Sequence, residues 1–184
     1  MNNDVRIILG IDPGSNLLGY AFLRVENRKV SLVSMGTLDM RAQDNQLDKL
    51  KQIFEELSEL IKLYQPTEAA VEAPFYGKDA QAMLKLGRAQ GVAMVAMGVQ
   101  GLKVTEYSPR SVKKAVTGKG NSSKEQVAAM LPHLVTGEIV YKFIDASDAL
   151  AVAYCHYLQN NNVIGGGTKY NSWSDFLKNN PDKK

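Results

Sequence analysis

Val5–Ile11, VRIILGI, followed at once by Asp12-Pro13-Gly14, is the stretch from which the fold is read. A near-continuous apolar run of strand length belongs in the buried middle of a sheet, and Pro-Gly turns the chain directly behind Asp12. An acidic side chain therefore ends a buried strand. Gly19–Arg24 and Lys29–Leu38 extend this into an antiparallel meander with a turn near Glu26 and Asn27. Leu47, Leu50, Ile53, Phe54, Leu57, Leu60, Ile61 and Tyr64 then recur at steps of three and four, one apolar face of a helix that Pro66 stops.

Glu68–Glu72, EAAVE, reads as a strand ending at Glu72, two residues before Pro74. Lys78–Gly98 reads as a helix with apolar or small residues on several sides, predicted to be buried on more than one face, within the core or against a second subunit. Leu102–Tyr107 is a further strand, Ser108 and Pro109 open a helix to Val116, Ser122 or Ser123 caps one to Leu131, and Asp145–Leu158 is the last helix. An order beginning β-β-β-α-β-α-β-α predicts an α/β fold, a mixed five-stranded sheet with helices on both faces.

The chain has 184 residues, 45% hydrophobic and 22% charged, within the range of one globular domain. We expect that domain over 1–158, with 159–184 a flexible linker and C-terminal tail. The apolar N-terminal run has no basic flank or small-residue cleavage site and reads as a strand rather than a signal peptide. No uncharged stretch has the composition of a membrane span, so a cytoplasmic protein with no membrane association is expected. Cys155 is the sole cysteine and is read as a buried thiol, while His133 and His156 lack companion ligands and are read as surface or packing residues.

Asp12, Glu72, Asp145 and Asp148 carry the chemistry. The first two end strands, and the last two, three residues apart, share a helical face that neighbouring strand ends would meet. Four like charges repel unless a divalent cation compensates them, and hard oxygen ligands select Mg²⁺ or Mn²⁺. Two such ions about 3.5–4 Å apart can activate a water and stabilise the leaving oxygen of a phosphodiester. Read singly, the same residues are a helix cap, a turn former and a solvated strand end. Between Lys103 and Lys124 five Lys and one Arg face Glu106 alone, a local +5 against +3 for the whole chain. Arg110, Lys114 and Lys119 are reasonable phosphate contacts, as well as an ordinary solvated face. GKGNSSK lacks the spacing of a P-loop.

GIDPGSNLLGYAFL, AAVEAPF, MLKLGRAQGVAM and DASDALAVA together resemble the four blocks of the RuvC Holliday-junction resolvases, from about Val5 to His156. The resemblance implies an RNase H-like fold, Mg²⁺-dependent paired nicking of four-way DNA junctions, a homodimer, and a branch-migration helicase complex of the RuvA and RuvB type as partner. It implies that Asp12, Glu72, Asp145 and Asp148 are both catalytic residues and metal ligands. Lys113 and Lys124 fall on the family's phosphate-contacting lysines. Phe75 falls on its junction-centre aromatic, where a ring could stack on an unpaired base; Tyr76 is a neighbouring candidate, and a core aromatic is the alternative reading. Some members carry histidine at the last acidic position; this chain has Asp148 there.

Competing readings are an actin-like or Hsp70-like ATPase, another RNase H-like nuclease acting on RNA/DNA hybrid, and a junction-binding protein without activity. The first needs two lobes around a nucleotide, and this length supplies one. The second would keep the carboxylates without the arrangement of Lys113, Lys124 and the multiply buried helix. The third would not need all four acidic positions.

Overall fold

The structure is a computed structural model that describes residues 5–74 and 79–160. Five strands, β1 (Arg6–Asp12), β2 (Leu17–Glu26), β3 (Lys29–Asp39), β4 (Glu68–Glu72) and β5 (Val104–Tyr107), form one mixed sheet in the order β3-β2-β1-β4-β5. The meander β1-β2-β3 is antiparallel, and β4 and β5 add in parallel. Asn27 and Arg28 both take positive φ, 51° and 64°, in the two-residue turn that Glu26 and Lys29 close as partners. That turn has the hand that matches strand twist.

The period-two alternation of β1 divides the core. Leu9 and Ile11 face α1 (Gln46–Tyr64) and α2 (Ala80–Val99), together with Leu18, Phe22, Ala69 and Val71. Ile8, Ala21, Leu23, Val25 and Ala70 face the other side, where α5 (Ile144–Asn160) lies on the sheet and α3 (Pro109–Thr117) and α4 (Lys124–Leu134) cover it. Helices thus occupy both faces, as expected. No described helix is long and apolar enough to cross a membrane.

Several local expectations need correction. Within one chain the helix buried around its circumference is α5, in which every residue from Ala146 to Leu158 is buried, whereas α2 buries one face through Ala89, Gln90, Ala93, Ala96 and Met97, so α2 does not cross the core and only the alternative of a second subunit is left for its other faces. The remainder of α2 is open: Val95 is 56% and Val99 72% exposed, and an added Cβ at Gly87 or Gly91 would meet nothing within 4 Å. On α1 the predicted apolar face holds except at its edges, since Leu47 is 74% exposed and Phe54 is also exposed. Helix α4 continues beyond Leu131, through Pro132 to Leu134. Helix α5 reaches Asn160, past the predicted Leu158; residues 161–184 lie outside the described residues, as does Lys78.

Helix α5 approaches β1 and β2 at backbone distance because glycines stand beneath it. A Cβ at Gly10 would fall 2.6 Å from the Ala153 nitrogen, and one at Gly19 would fall 2.5 Å from the Asp145 carbonyl carbon. Neither neighbour is a movable side-chain end. Gly19→Ala is therefore expected to cost about 1–3 kcal/mol through overpacking, whereas Gly98→Ala, in open space on α2, should gain about 0.5–1 kcal/mol from helix propensity. Thermal melts of the two variants check this; a Gly19→Ala protein as stable as the parent would mean that α5 does not rest on β2.

Candidate active site

The fold brings the four predicted carboxylates to one end of the sheet. Parallel pairing of Ile11 with Val71 carries Asp12 and Glu72 side by side at the ends of β1 and β4, on the face that α5 covers. Asp12 also pairs with Gly19 on β2, and Asp145 rests over that glycine. One helical turn further, Asp148 is 8% exposed. A cleft of about 150 Å³ opens beside the cluster, lined by Asp12, Pro13, Glu72, Ala73, Pro74 and Leu86.

The electrostatics fit crowded, desolvated acids. Burial, then the charges of Glu72 and Asp148, push the Asp12 carboxyl well above the usual carboxylate range. Burial and Asp148 push Glu72 up to about 7, against opposing pulls from Lys124 and Lys113. Asp148 is raised by burial too, although Lys124 Nζ donates it a short hydrogen bond that works in the other direction. Lys124 is itself half-exposed at the start of α4, directly behind its N-cap Ser123, so its ammonium stands at the mouth of the site.

The lysines and arginine sort by distance from this centre. Lys113 on α3 acts electrostatically on Glu72 and Asp148, and Lys124 bonds the latter, so both belong to the site. Arg110, Lys114 and Lys119 are exposed on the same α3-loop-α4 unit rather than at the carboxylates. The loop is tied internally: Thr117 Oγ1 donates to the Lys113 carbonyl at 2.8 Å, bonds the Ser122 hydroxyl at 2.8 Å, and accepts from the Lys119 backbone N–H at 3.2 Å. Phe75 and Tyr76 lie outside the described residues. Cys155 is buried, its thiol pushed up to about 12 chiefly by burial, and His133 is exposed.

The donor set consists of hard carboxylate oxygens whose mutual repulsion is only partly relieved by lysine, which suits a hard divalent cation. As the side chains stand, no three His, Cys, Asp or Glu groups among the described residues converge on one ion. Asp148 is engaged with Lys124 in this arrangement. Sequence reasoning missed the two glycines that seat α5 and a buried polar network around His156. Glycines inside strands opposite a helix rich in alanine were the available signal for the first.

Comparison with known proteins agrees with this geometry. Residues 8–156 match the family described as "Crossover junction endodeoxyribonuclease RuvC". The chain is 48% identical over 178 residues to the crossover junction endodeoxyribonuclease RuvC of Christiangramia forsetii, covering 97% of this chain and 92% of that protein. It is 46% identical over 180 residues to that of Cytophaga hutchinsonii, covering 97% and 88%. Among solved structures it resembles Thermus thermophilus RuvC in complex with Holliday junction substrate, with a TM-score of 0.79 at 28% identity over 86% of this chain and 96% of that one.

A pH dependence follows from Glu72. In the metal-free fold its carboxyl titrates near 7, above the 4.5 of an unperturbed glutamate, so its contribution to stability is complete below about 4.5 and is lost as pH rises through about 7. The thermal midpoint in EDTA is expected to fall across that window, and Mg²⁺ should raise it more at pH 8 than at pH 5. Glu72→Gln should flatten the EDTA profile. A parent profile that is flat, or equally responsive to Mg²⁺ at both pH values, contradicts the coupling.

Proposed function

The chain belongs to the RuvC family of crossover junction endodeoxyribonucleases, and we propose that it is a Holliday-junction resolvase that nicks four-way DNA junctions at the carboxylate cluster, in homologous recombination and DNA repair. The observation that carries this reading is the convergence of Asp12, Glu72, Asp145 and Asp148, with Asp12, Glu72 and Asp148 desolvated and charge-coupled, beside Lys113 and Lys124. An anionic cluster with cations at its rim suits a phosphodiester reached through bound divalent ions. A structural role alone gives no reason to gather four acids and desolvate three of them, since desolvating charge is costly.

In this reading Asp12, Glu72, Asp145 and Asp148 hold Mg²⁺, which Mn²⁺ replaces, with two ions per site. Such ions supply an activated water and charge stabilisation at the leaving oxygen. The chain's own residues do the rest. Lys124, held at the mouth by Asp148, exchanges one anionic partner for another when a phosphate arrives, and Lys113 flanks it from α3. Arg110, Lys114 and Lys119 grip neighbouring phosphates without reading sequence, the ordinary division between positioning and specificity. Phe75 serves at the junction centre by the family resemblance alone, with Tyr76 the neighbouring candidate.

A homodimer completes the mechanism. The open face of α2 and the exposed Leu47 and Phe54 of α1 border one apolar groove, lined also by Leu50, Val92 and Val95. A two-fold interface there would be isologous and would present two clusters to a junction with two like strands. The branch-migration helicase complex of the RuvA and RuvB type is the partner proposed to deliver the junction, in the cytoplasm. Residues 1–158 are proposed as the nuclease domain and 159–184 as its tail.

The deciding experiment incubates the purified protein with a synthetic four-way junction, linear duplex and RNA/DNA hybrid, each with and without Mg²⁺. Cleavage is expected on the junction with Mg²⁺ only, and Asp12→Asn or Glu72→Gln should lower it by orders of magnitude while junction binding persists. Preferred cleavage of the hybrid would point instead to another RNase H-like nuclease. For the dimer, sedimentation of Val95→Asp should give more monomer than the parent, and mixed dimers of parent and Asp12→Asn chains should leave singly nicked junctions. Efficient double nicking by mixed dimers contradicts one nick per subunit.

A further inference from the structure

Helix α5 runs antiparallel to β1 and β4 and meets them along its whole length. Asp145 lies over Gly19, the partner of Asp12, Ala149 and Ala153 lie over Gly10, and His156 reaches Glu68, whose partner on β1 is Ile8. Two of these elements carry paired groups in opposite order: Asp148 and His156 on α5, Glu72 and Glu68 on β4. Eight residues of helix rise about 12 Å, and four residues of strand span about 13 Å. The lengths match. A helix held to Glu68 through His156 therefore has Asp148 opposite Glu72 at the far end, where Asp148 is the strongest charge acting on Glu72.

The His156 contact is specific. The ring is 3% exposed, and both nitrogens are engaged: Nδ1 with the Tyr107 hydroxyl at 3.0 Å, and Nε2 with Glu68 Oε2 at 3.0 Å and with Asn160 Nδ2 at 2.9 Å. Arg6 Nη1 donates to Glu68 Oε1 at 3.1 Å and Asn160 Nδ2 donates to Oε2 at 2.8 Å, so the carboxylate is held on both oxygens. Burial lowers the imidazole's proton affinity by more than Glu68 restores, and burial pushes the Tyr107 phenol up to about 12. A neutral ring carries a single N–H, so Tyr107, Glu68 and Asn160 share one donor and one acceptor nitrogen between them. Tyr107 is itself the β5 partner of Glu72. One imidazole thus joins the helix bearing Asp145 and Asp148 to the strand bearing Glu72 and to that strand's neighbour.

We infer that His156, held between Glu68 and Tyr107, is a positioning residue for the carboxylate cluster, setting the axial register of α5 on β4 and with it the separation of Asp148 from Glu72. This rests on the cluster being the cleavage centre. His156 touches none of the reacting atoms. It acts through the helix, as outer partners of metal ligands do when they orient them.

The test uses the full chain and four variants: His156→Leu, which fills similar volume without either hydrogen bond; His156→Gln, which can donate toward Glu68; Tyr107→Phe, which removes one bond and keeps the ring; and Asp148→Asn. Each is measured for Mn²⁺ affinity without DNA by calorimetry, for junction affinity in Ca²⁺, and for single-turnover cleavage at saturating junction in Mg²⁺. His156→Leu is expected to bind the junction within about 2-fold of the parent, to bind Mn²⁺ about 10-fold more weakly and to cut about 10- to 100-fold more slowly, the usual size of such second-sphere losses. His156→Gln should recover much of both losses. Should His156→Leu fold poorly, Tyr107→Phe carries the test, with a several-fold loss in Mn²⁺ affinity and rate at unchanged junction binding. Parent-like Mn²⁺ affinity and rate in these variants, or losses that merely follow the folded fraction, overturn the positioning role. If Asp148→Asn retains both Mn²⁺ binding and cleavage, the cleavage-centre reading falls, and this inference with it; loss in Asp148→Asn beside an indifferent His156 sinks the positioning role alone.

Discussion

Two glycines, Gly10 on β1 and Gly19 on β2, let the backbone of α5 rest on the sheet with no side chain between them. That contact governs the site. A side chain at either position would lift the helix, and Asp145 and Asp148 would leave the strand ends that carry Asp12 and Glu72. The contact also explains the composition of α5 on its sheet-facing side, where the alanines at 146, 149 and 153 are all buried. Close approach of this kind confines a helix to few positions, because interiors are packed too densely to accept intermediate ones.

Stability and function oppose one another at the cluster. Asp12, Glu72 and Asp148 are all held above the ordinary carboxylate range, and burial is the largest cause for each. Lys124 relieves part of the repulsion through Asp148, and Lys113 contributes from α3. The unrelieved remainder is what favours a divalent cation, so the same burial that weakens the metal-free fold prepares it to bind ions. Perturbed acids in a cleft mark a functional site for this reason. In the proposed function the basic α3-loop-α4 unit would provide cations where a phosphate backbone approaches.

Much of this was legible in the sequence because local chemistry and tertiary placement agree. VRIILGI followed by Asp-Pro-Gly, EAAVE before Ala-Pro, and Ser-Pro at the start of α3 each became the element expected, and the four carboxylates converge as their positions suggested. Other features depend on partners that periodicity does not encode. Apolar residues around α2 suggested burial on several faces, yet one chain covers only one of them; α5 is also weakly amphipathic, and it is the helix enclosed by the sheet, α3 and α4. Leu47 and Phe54 follow the helical period on α1 but sit at the margins of its contact with α2. His156 looked like a packing residue, which it is, but its partners Glu68 and Tyr107 are remote in sequence and invisible without the strand order.

The central claim is that α5 and the two strand ends build one charge-coupled carboxylate cluster suited to divalent metal. Carboxyl-carbon NMR on glutamate-labelled protein tests this directly, with Glu72→Gln identifying the resonance. The account predicts that Glu72 titrates near 7 in the metal-free protein and that Mg²⁺ shifts this titration to lower pH. A Glu72 that titrates near 4.5 and ignores Mg²⁺ would contradict it.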